Sequence, residues 1–231
     1  MATQPQAHII ASGGTKGGVG KTTLATNLAI MRANAGNDVL LVDADSQETS
    51  SDFTLARNEA LEEQGGAGYT AVKLTGGAVR TDTLKLATKY DDIIIDVGGR
   101  DTAAQRAALS VADIYLVPFL PASFDVWTLE KVSLLVEEAR AFNETLQVFC
   151  ILNRADPGHS GSDNEEAAAI AGDYPQLTYL DAPIVNRKAF RKAAAQGLAV
   201  TELKGQHRDK KAIEEIQKLY NHLFKVKVMA K

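Results

Sequence analysis

Eleven consecutive residues, Gly13-Gly14-Thr15-Lys16-Gly17-Gly18-Val19-Gly20-Lys21-Thr22-Thr23, have the types and spacing needed to hold a polyphosphate. Gly17, Gly18 and Gly20 let the backbone curl so that several N–H groups face one anion. A helix N-terminus behind them adds partial positive charge. The Lys21 ammonium then reaches the β- and γ-phosphates, and the Thr22 hydroxyl completes a Mg²⁺ shell. The usual pattern of such a loop is G-x-x-x-x-G-K-[ST]. Aligned on Gly20-Lys21-Thr22, its first glycine falls on Thr15, and a second cation, Lys16, follows at once. By residue type, Lys16 is either a solvated loop lysine or an ammonium directed at phosphate, in its own subunit or across a dimer.

Carboxylates that could serve such a loop follow two apolar runs. Val39-Leu40-Leu41-Val42 leads into Asp43-Ala44-Asp45-Ser46-Gln47. These acids either serve the phosphate site or cap the next turn and helix, as Asp and Ser often do. Ile93-Ile94-Ile95 leads into Asp96-Val97-Gly98-Gly99-Arg100-Asp101. An apolar strand ending in Asp is a Walker B pattern, in which Asp96 binds Mg²⁺ through water. The Gly98 amide is a candidate sensor of ATP against ADP, because a glycine N–H can turn toward a γ-phosphate. Arg100 is either a switch or dimer residue or, with Asp101, plain surface. Asn153 either reads an adenine edge or is a turn residue ahead of Asp156-Pro157.

These groups need a scaffold that brings strand ends together. The apolar runs His8–Ser12, Val39–Val42, Ile93–Asp96, Ile114–Pro118, Gln147–Leu152 and, more weakly, Thr178–Leu180 read as strands. Thr22 to Ala35 reads as a helix with Leu24, Leu28 and Met31 on one face. Near-continuous apolar runs alternating with helical patterns give parallel strands covered on both faces. The expected fold is one α/β domain over residues 1–231, a doubly wound, mostly parallel sheet flanked by helices. In such sheets the ligand sits beyond the C-terminal strand ends, where every motif above lies.

Composition sets further bounds. The chain has 231 residues, enough for one domain with a full core. It contains no apolar run long enough to span a membrane, and Met1 to Ala7 is polar and lacks a signal-peptide core. The single Cys150 lies in the apolar run Val148 to Leu152 and reads as a core residue of a reduced, cytosolic protein. The net charge of −4 hides an asymmetry. Residues 187–231 carry twelve Lys and Arg against four Asp and Glu, whereas residues 1–186 carry thirteen against twenty-five. A basic part of this kind points to a polyanion partner.

The loop Thr15-Lys16-Gly17-Gly18-Val19-Gly20-Lys21-Thr22 resembles the deviant Walker A motif of the ParA/MinD family of P-loop ATPases. The resemblance runs from about Ile9 to Phe224 and implies a cytoplasmic, nucleoid-associated ATPase that uses ATP and Mg²⁺. It implies that Lys16 reaches into the partner subunit's nucleotide site in a homodimer that sandwiches two ATP molecules. The Asp43-Ala44-Asp45 segment is similar to the family's D-x-D signature, with Ser46 where proline is common. By that match Asp45 directs the attacking water, and Asp43 holds the Mg²⁺ shell or Lys21. Catalysis then falls to Lys16, Lys21 and Asp45, metal binding to Thr22, Asp43 and Asp96, and nucleotide binding to residues Thr15 through Thr23 with Gly98. Asn153 and Arg154 match the family's Asn-Arg pair, and Asp181-Ala182-Pro183-Ile184 would form the far wall of the base pocket. Pro118 to Asp125 resembles the loop that precedes a long helix, with Ser123 or Asp125 as its N-cap and Trp127, Leu134 and Leu135 as core or interface. The two glycines after Asp96 resemble the small plasmid-partition ParA proteins.

In the basic part, Arg187-Lys188-Ala189-Phe190-Arg191-Lys192 opens a helix that Gly197 ends, and Arg208, Lys210 and Lys211 begin the last helix. One reading is a solvated basic face over the apolar stripe Ile213, Ile216, Tyr220 and Leu223. The other is contact with the phosphate backbone of DNA, without sequence readout, by Arg187, Lys188, Arg191, Lys192, Arg208 and Lys211. With the resemblance, this implies a partition ATPase whose ATP dimer binds DNA non-specifically and is released when a centromere-bound adaptor stimulates hydrolysis. A MinD-like role at a membrane, through the tail Phe224 to Val228, and a metabolic ATP-dependent ligase of the same fold are the alternatives.

Overall fold

The computed structural model describes residues 7–99, 102–121, 126–157 and 160–229. Arg100, Asp101, Ser123 and Asp125 lie outside the described residues, as do the Trp127 side chain and the side chains after Phe224. Along the described chain eight strands and eight α-helices alternate up to the last two strands, which follow one another and are followed by the last two α-helices. The strands are β1 (His8–Ser12), β2 (Val39–Ala44), β3 (Thr70–Lys73), β4 (Asp92–Val97), β5 (Ile114–Phe119), β6 (Gln147–Ala155), β7 (Thr178–Tyr179) and β8 (Ile184–Val185). The helices are α1 (Lys21–Asn34), α2 (Thr49–Ala60), α3 (Ala78–Leu86), α4 (Ala103–Leu109), α5 (Val126–Arg140), α6 (Ser160–Gly172), α7 (Lys188–Ala194) and α8 (Lys210–Met229).

The sheet runs β3-β2-β4-β1-β5-β6-β7, every pairing is parallel, and β8 pairs with the end of β6. The central strands β1, β2, β4 and β5 are buried along their whole length, which is why they read as unbroken apolar runs. Alternate residues feed two cores. Ile9, Leu40, Ile93, Ile95 and Val117 pack beneath α4 and α5, and Ile10, Leu41, Ile94 and Leu116 pack beneath α1 and α8. The architecture is the expected doubly wound α/β sheet, parallel throughout and covered by helices on both faces.

Two strands escape the hydrophobic pattern. β3 is an edge strand with three exposed residues, so it has no apolar run to announce it. β8 is a two-residue strand held by register to Asn153 and Ala155 of β6. β6 also runs three residues past Leu152, which puts Asn153 and Arg154 inside a strand rather than in the turn that follows it.

The last helix is held by a polar cluster under the sheet. The Arg32 guanidinium bonds the Asp92 carboxylate at 2.6 Å and lies 4.5 Å from the centre of the Phe224 ring. Ile216, Leu219, Leu223 and Phe224 are buried against the core. That stripe of α8 is therefore packing surface and is not available to a membrane. Among the described residues no helix is long and apolar enough to cross one.

Candidate nucleotide site

β1 ends at Ser12 in the middle of the sheet and α1 begins at Lys21, so the loop between them opens at the ligand edge. The loop is fastened from both sides. Gln105, fully buried on α4, donates its side-chain amide to the Gly14 carbonyl at 3.2 Å and to the Tyr115 hydroxyl at 2.7 Å. Asn153, at the end of β6, donates to the Val19 carbonyl at 2.6 Å. Gly20 takes a left-handed φ of 95°, and a Cβ there would sit 2.2 Å from the Asn153 amide nitrogen. Only glycine fits at that point. The Lys21 ammonium folds back to donate to the Lys16 carbonyl at 2.9 Å, and burial lowers its pKa against the pull of Asp96 and Asp45. Ligand phosphate oxygens would be better partners for it than a peptide carbonyl.

The two acidic strand ends stand side by side, with Asp43 on β2 in register with Asp96 on β4. Their carboxylates are in different states. Asp43 accepts from the Ser51 amide at 2.8 Å, the Ser51 hydroxyl at 2.6 Å and the Asp45 amide at 3.1 Å. It therefore does the capping work at the start of α2 while lying at the phosphate edge. Asp96 has 0% exposure, and although the Thr22 and Ser50 hydroxyls lie close to it, neither of its oxygens receives a hydrogen bond of good geometry. Desolvation raises its pKa to about 7, and the neighbouring Asp43 adds to this; the hydroxyls of Thr22 and Ser50 and the Lys21 ammonium pull it back only in part. The Ser50 hydroxyl is likewise buried without a hydrogen bond of good geometry. Unpaired buried groups of this kind call for a cation or its water shell. The residues present thus fit Mg²⁺, with Thr22 as direct ligand and Asp96 acting through water. Among the described residues no cluster of three His, Cys, Asp or Glu side chains could hold a metal, so the remaining ligands would come from phosphate and water, as Mg²⁺ prefers.

Asp45, Gly98 and Gly99 meet on the other wall of the loop. A Cβ on Gly98 would lie 3.1 Å from the Asp45 carboxylate. One on Gly99 would come within 2.8 Å of the Gly17 nitrogen and the Lys16 carbonyl carbon. Glycine is thus required at Gly99 by the close approach of the Lys16-Gly17 backbone, whereas a Cβ on Gly98 would ask only for a small shift of the Asp45 side chain. Gly17, Gly18, Lys21, Thr22, Asp45 and Gly98 all face one cavity of about 710 Å³.

A second cavity of about 220 Å³ shares Gly20, Thr23 and Arg154 with the first, and extends it toward β8 and α7. Leu24, Ile184, Val185 and Phe190 supply apolar walls suited to a base. Asn153 and Arg154 both line it, Arg154 with a left-handed φ of 55°. Pro183 is next to the lining residue Ile184 but does not itself line the cavity.

Residues 10–200 match the CbiA family, the CobQ/CobB/MinD/ParA nucleotide binding domain. The chain belongs to that family. It is 31% identical over 194 residues to the maintenance of carboxysome distribution protein A of Gloeobacter kilaueensis, covering 83% of each chain. Two solved structures share the fold. One is the septum site-determining protein MinD of Pyrococcus horikoshii complexed with Mg-ADP, with a TM-score of 0.71 and 22% identity over 97% of this chain and 99% of that one. The other is a plasmid partition protein of Borrelia burgdorferi, with a TM-score of 0.65 and 20% identity over 96% and 99%.

The structure sorts the basic residues set aside for DNA. Lys188, Arg191, Lys192, Arg208 and Lys211 are exposed. Arg187 is committed elsewhere: its guanidinium bonds Glu215 of α8 at 2.6 and 2.9 Å, and its pKa is raised by that pair. Arg187 and Arg191 also line the base cavity, as do Asn186 and Phe190. Sequence reasoning missed Asn186, Phe190 and the Thr75-Gly76 turn, which lines the phosphate cavity. The signal available for the turn was the run Thr75-Gly76-Gly77; for Asn186 and Phe190 there was none, because β8 is too short to be read.

Proposed function

We propose that this protein is an ATP-hydrolysing positioning protein of the ParA/MinD type, in which Mg-ATP closes a homodimer that holds non-specific DNA. The reading is supported above all by one contact patch. The Gly98-Gly99 segment lies against the Asp45 carboxylate at one residue and against the Lys16-Gly17 backbone at the next, beside the phosphate cavity. A γ-phosphate entering there would touch the lysine loop, the acid that directs water and the sensor glycines together. ATP binding, dimer closure and hydrolysis would then be one linked event. In this reading the loop amides and Lys21 bind the triphosphate, and Lys16 enters the partner's site. Asp45 orients the attacking water and takes up its proton, and the Gly98 amide distinguishes ATP from ADP. Mg²⁺, when bound by Thr22 and by Asp96 through water, neutralises charge on the phosphates.

Hydrolysis is slow alone and is stimulated by an adaptor on the cargo, which releases the dimer from the nucleoid. The cargo is set by that adaptor. Likeness to a carboxysome distribution protein widens it from plasmids to large protein assemblies. Exposed Lys188, Arg191, Lys192, Arg208 and Lys211 are the DNA-facing candidates. The deciding test is Lys16→Ala. The variant is expected to bind nucleotide as a monomer, yet to lose ATP-dependent dimers in light scattering and ATP-dependent retention on duplex DNA. Persistence of both would remove Lys16 from the interface and the sandwich dimer with it.

A further inference from the structure

Away from the nucleotide edge the molecule has a second concave surface. The C-terminal ends of α4 and α5 flank an apolar groove of about 410 Å³, walled by Leu109, Leu135, Ala139, Ala141 and Phe142. Both helices end shortly before β5 and β6 begin, so the groove opens at the edge of the sheet opposite the phosphate loop. It shares no residue with either nucleotide cavity. Phe142 is 84% exposed, and Leu134 on α5 is 56% exposed. The turn that carries Phe142 is nevertheless pinned. The Phe142 amide donates to the Ala139 carbonyl at 3.0 Å, and the Asn143 side-chain amide donates to the Leu109 and Ala112 carbonyls at 2.9 and 2.8 Å. An aromatic ring held in water on a fixed turn, beside an apolar groove, marks a surface that another molecule covers.

Charge at the rim selects the occupant. Arg106 of α4 and Glu138 of α5 pair at 2.5 Å and neutralise each other. Arg140 is turned inward, donating to the Leu146 and Gln176 carbonyls. Glu130 and Lys131, further back along α5, cancel. Glu137 and Glu144 remain exposed, with no ion pair among the described residues. The C-terminal ends of two helices add partial negative charge. The uncompensated charge around the groove is therefore negative. We propose that the groove docks an amphipathic helix of a partner protein, with apolar anchors on one face and Lys or Arg beside them. The anchors would enter the groove against Phe142, and the cations would meet Glu137 and Glu144 at the rim. A second copy of this chain would set the same acidic rim against itself, which disfavours self-pairing. A partner seated here leaves the nucleotide edge and the exposed basic residues of α7 free. The proposal holds whether or not the protein binds DNA.

The experiment uses the full chain and two fluorescent helical peptides of about 15 residues, one of Leu and Lys and one of Leu and Glu in the same amphipathic pattern. Binding is read by anisotropy. The basic peptide is expected to bind, and the acidic one not. Phe142→Ser is expected to weaken the basic peptide about tenfold. Its melting temperature and basal ATP turnover should be unchanged, because the ring lies outside the core and outside both nucleotide cavities. The double variant Glu137→Lys, Glu144→Lys should weaken the basic peptide in the same way and admit the acidic one. Peptide and Mg-ATP should bind without competing. No binding of the basic peptide would overturn the proposal, as would equal binding of the two peptides or wild-type affinity in Phe142→Ser. Displacement of the peptide by Mg-ATP would overturn it by placing the peptide at the nucleotide edge. Nucleotide-free dimers in light scattering that Phe142→Ser abolishes would overturn it by making a second copy the occupant.

Discussion

The phosphate end and the C-terminal end of this molecule treat polar groups in opposite ways. At the phosphate end Asp96 and Ser50 are buried without a hydrogen bond of good geometry, and Lys21 makes do with a backbone carbonyl. At the C-terminal end the buried ions are matched. The Arg57 guanidinium bonds Glu202 at 2.7 and 2.9 Å, the Ala67 carbonyl at 2.8 Å and the Gly197 carbonyl at 2.9 Å. Arg187 is matched by Glu215 in the same manner. The difference separates two tasks. Groups left unpaired hold free energy in reserve for a ligand, and groups paired internally hold the fold.

The largest effect should come from breaking the matched end. Arg57→Ala leaves Glu202 partly buried without its cation and strands two carbonyls. It should cost about 3–5 kcal/mol of unfolding free energy, read from urea titration. ATP affinity of the molecules that remain folded should hardly change, since Arg57 lines neither nucleotide cavity. A loss below about 1 kcal/mol would put the stability of the fold somewhere other than this cluster.

The unpaired end should show the opposite sign. Asp96 has a folded pKa of about 7, well above its ordinary value of 3.8. The native state then holds a proton that the unfolded chain has already released, so stability falls as pH rises from about 4 to 7 and is flat above. The loss is on the order of a few kcal/mol in the nucleotide-free protein. Asp96→Asn should flatten that slope in melts taken at intervals from pH 4 to 8. Mg-ATP should flatten it in the wild type, because a cation favours the charged carboxylate. A wild-type profile with no fall across this window would mean that Asp96 already has a partner.

What the sequence could tell follows the same division. The phosphate end is written in local order: a strand, glycines, Lys21, Thr22 and a helix fall within about 25 residues, and backbone geometry does the rest. The acids Asp43 and Asp96 were legible as strand ends because β2 and β4 are unbroken apolar runs. The opposite end depends on side chains that meet from far apart, and no spacing announces them. Arg57 meets Glu202 across 145 positions, and at the phosphate end too one such contact is hidden, since Asn153 reaches Val19 across 134. From sequence Asn153 reads as an adenine or turn residue; its bond to the Val19 carbonyl depends on where β6 and β1 lie in the sheet. β3 escaped for a different reason: an exposed edge strand has no hydrophobic pattern to read. Charge counting marked Arg187 as one more cation in a basic run, since it cannot see that Glu215 faces it.

Thr102 lies on the border between the two kinds of region and should give the smallest effect. Its hydroxyl caps α4 by accepting from the Gln105 amide at 3.2 Å, and it lines the phosphate cavity. Thr102→Ala should cost about 1 kcal/mol, the usual loss for such a cap, and lower the melting temperature of the nucleotide-free protein by about 2–4 °C. Thr102→Ser should restore it. The cap also fixes the backbone from which Gln105 reaches the Gly14 carbonyl. ATP affinity should therefore fall alongside stability in the alanine variant and recover in the serine variant. If stability drops and ATP affinity does not, α4 belongs wholly to the frame, and the boundary between the two regions moves to Gly99.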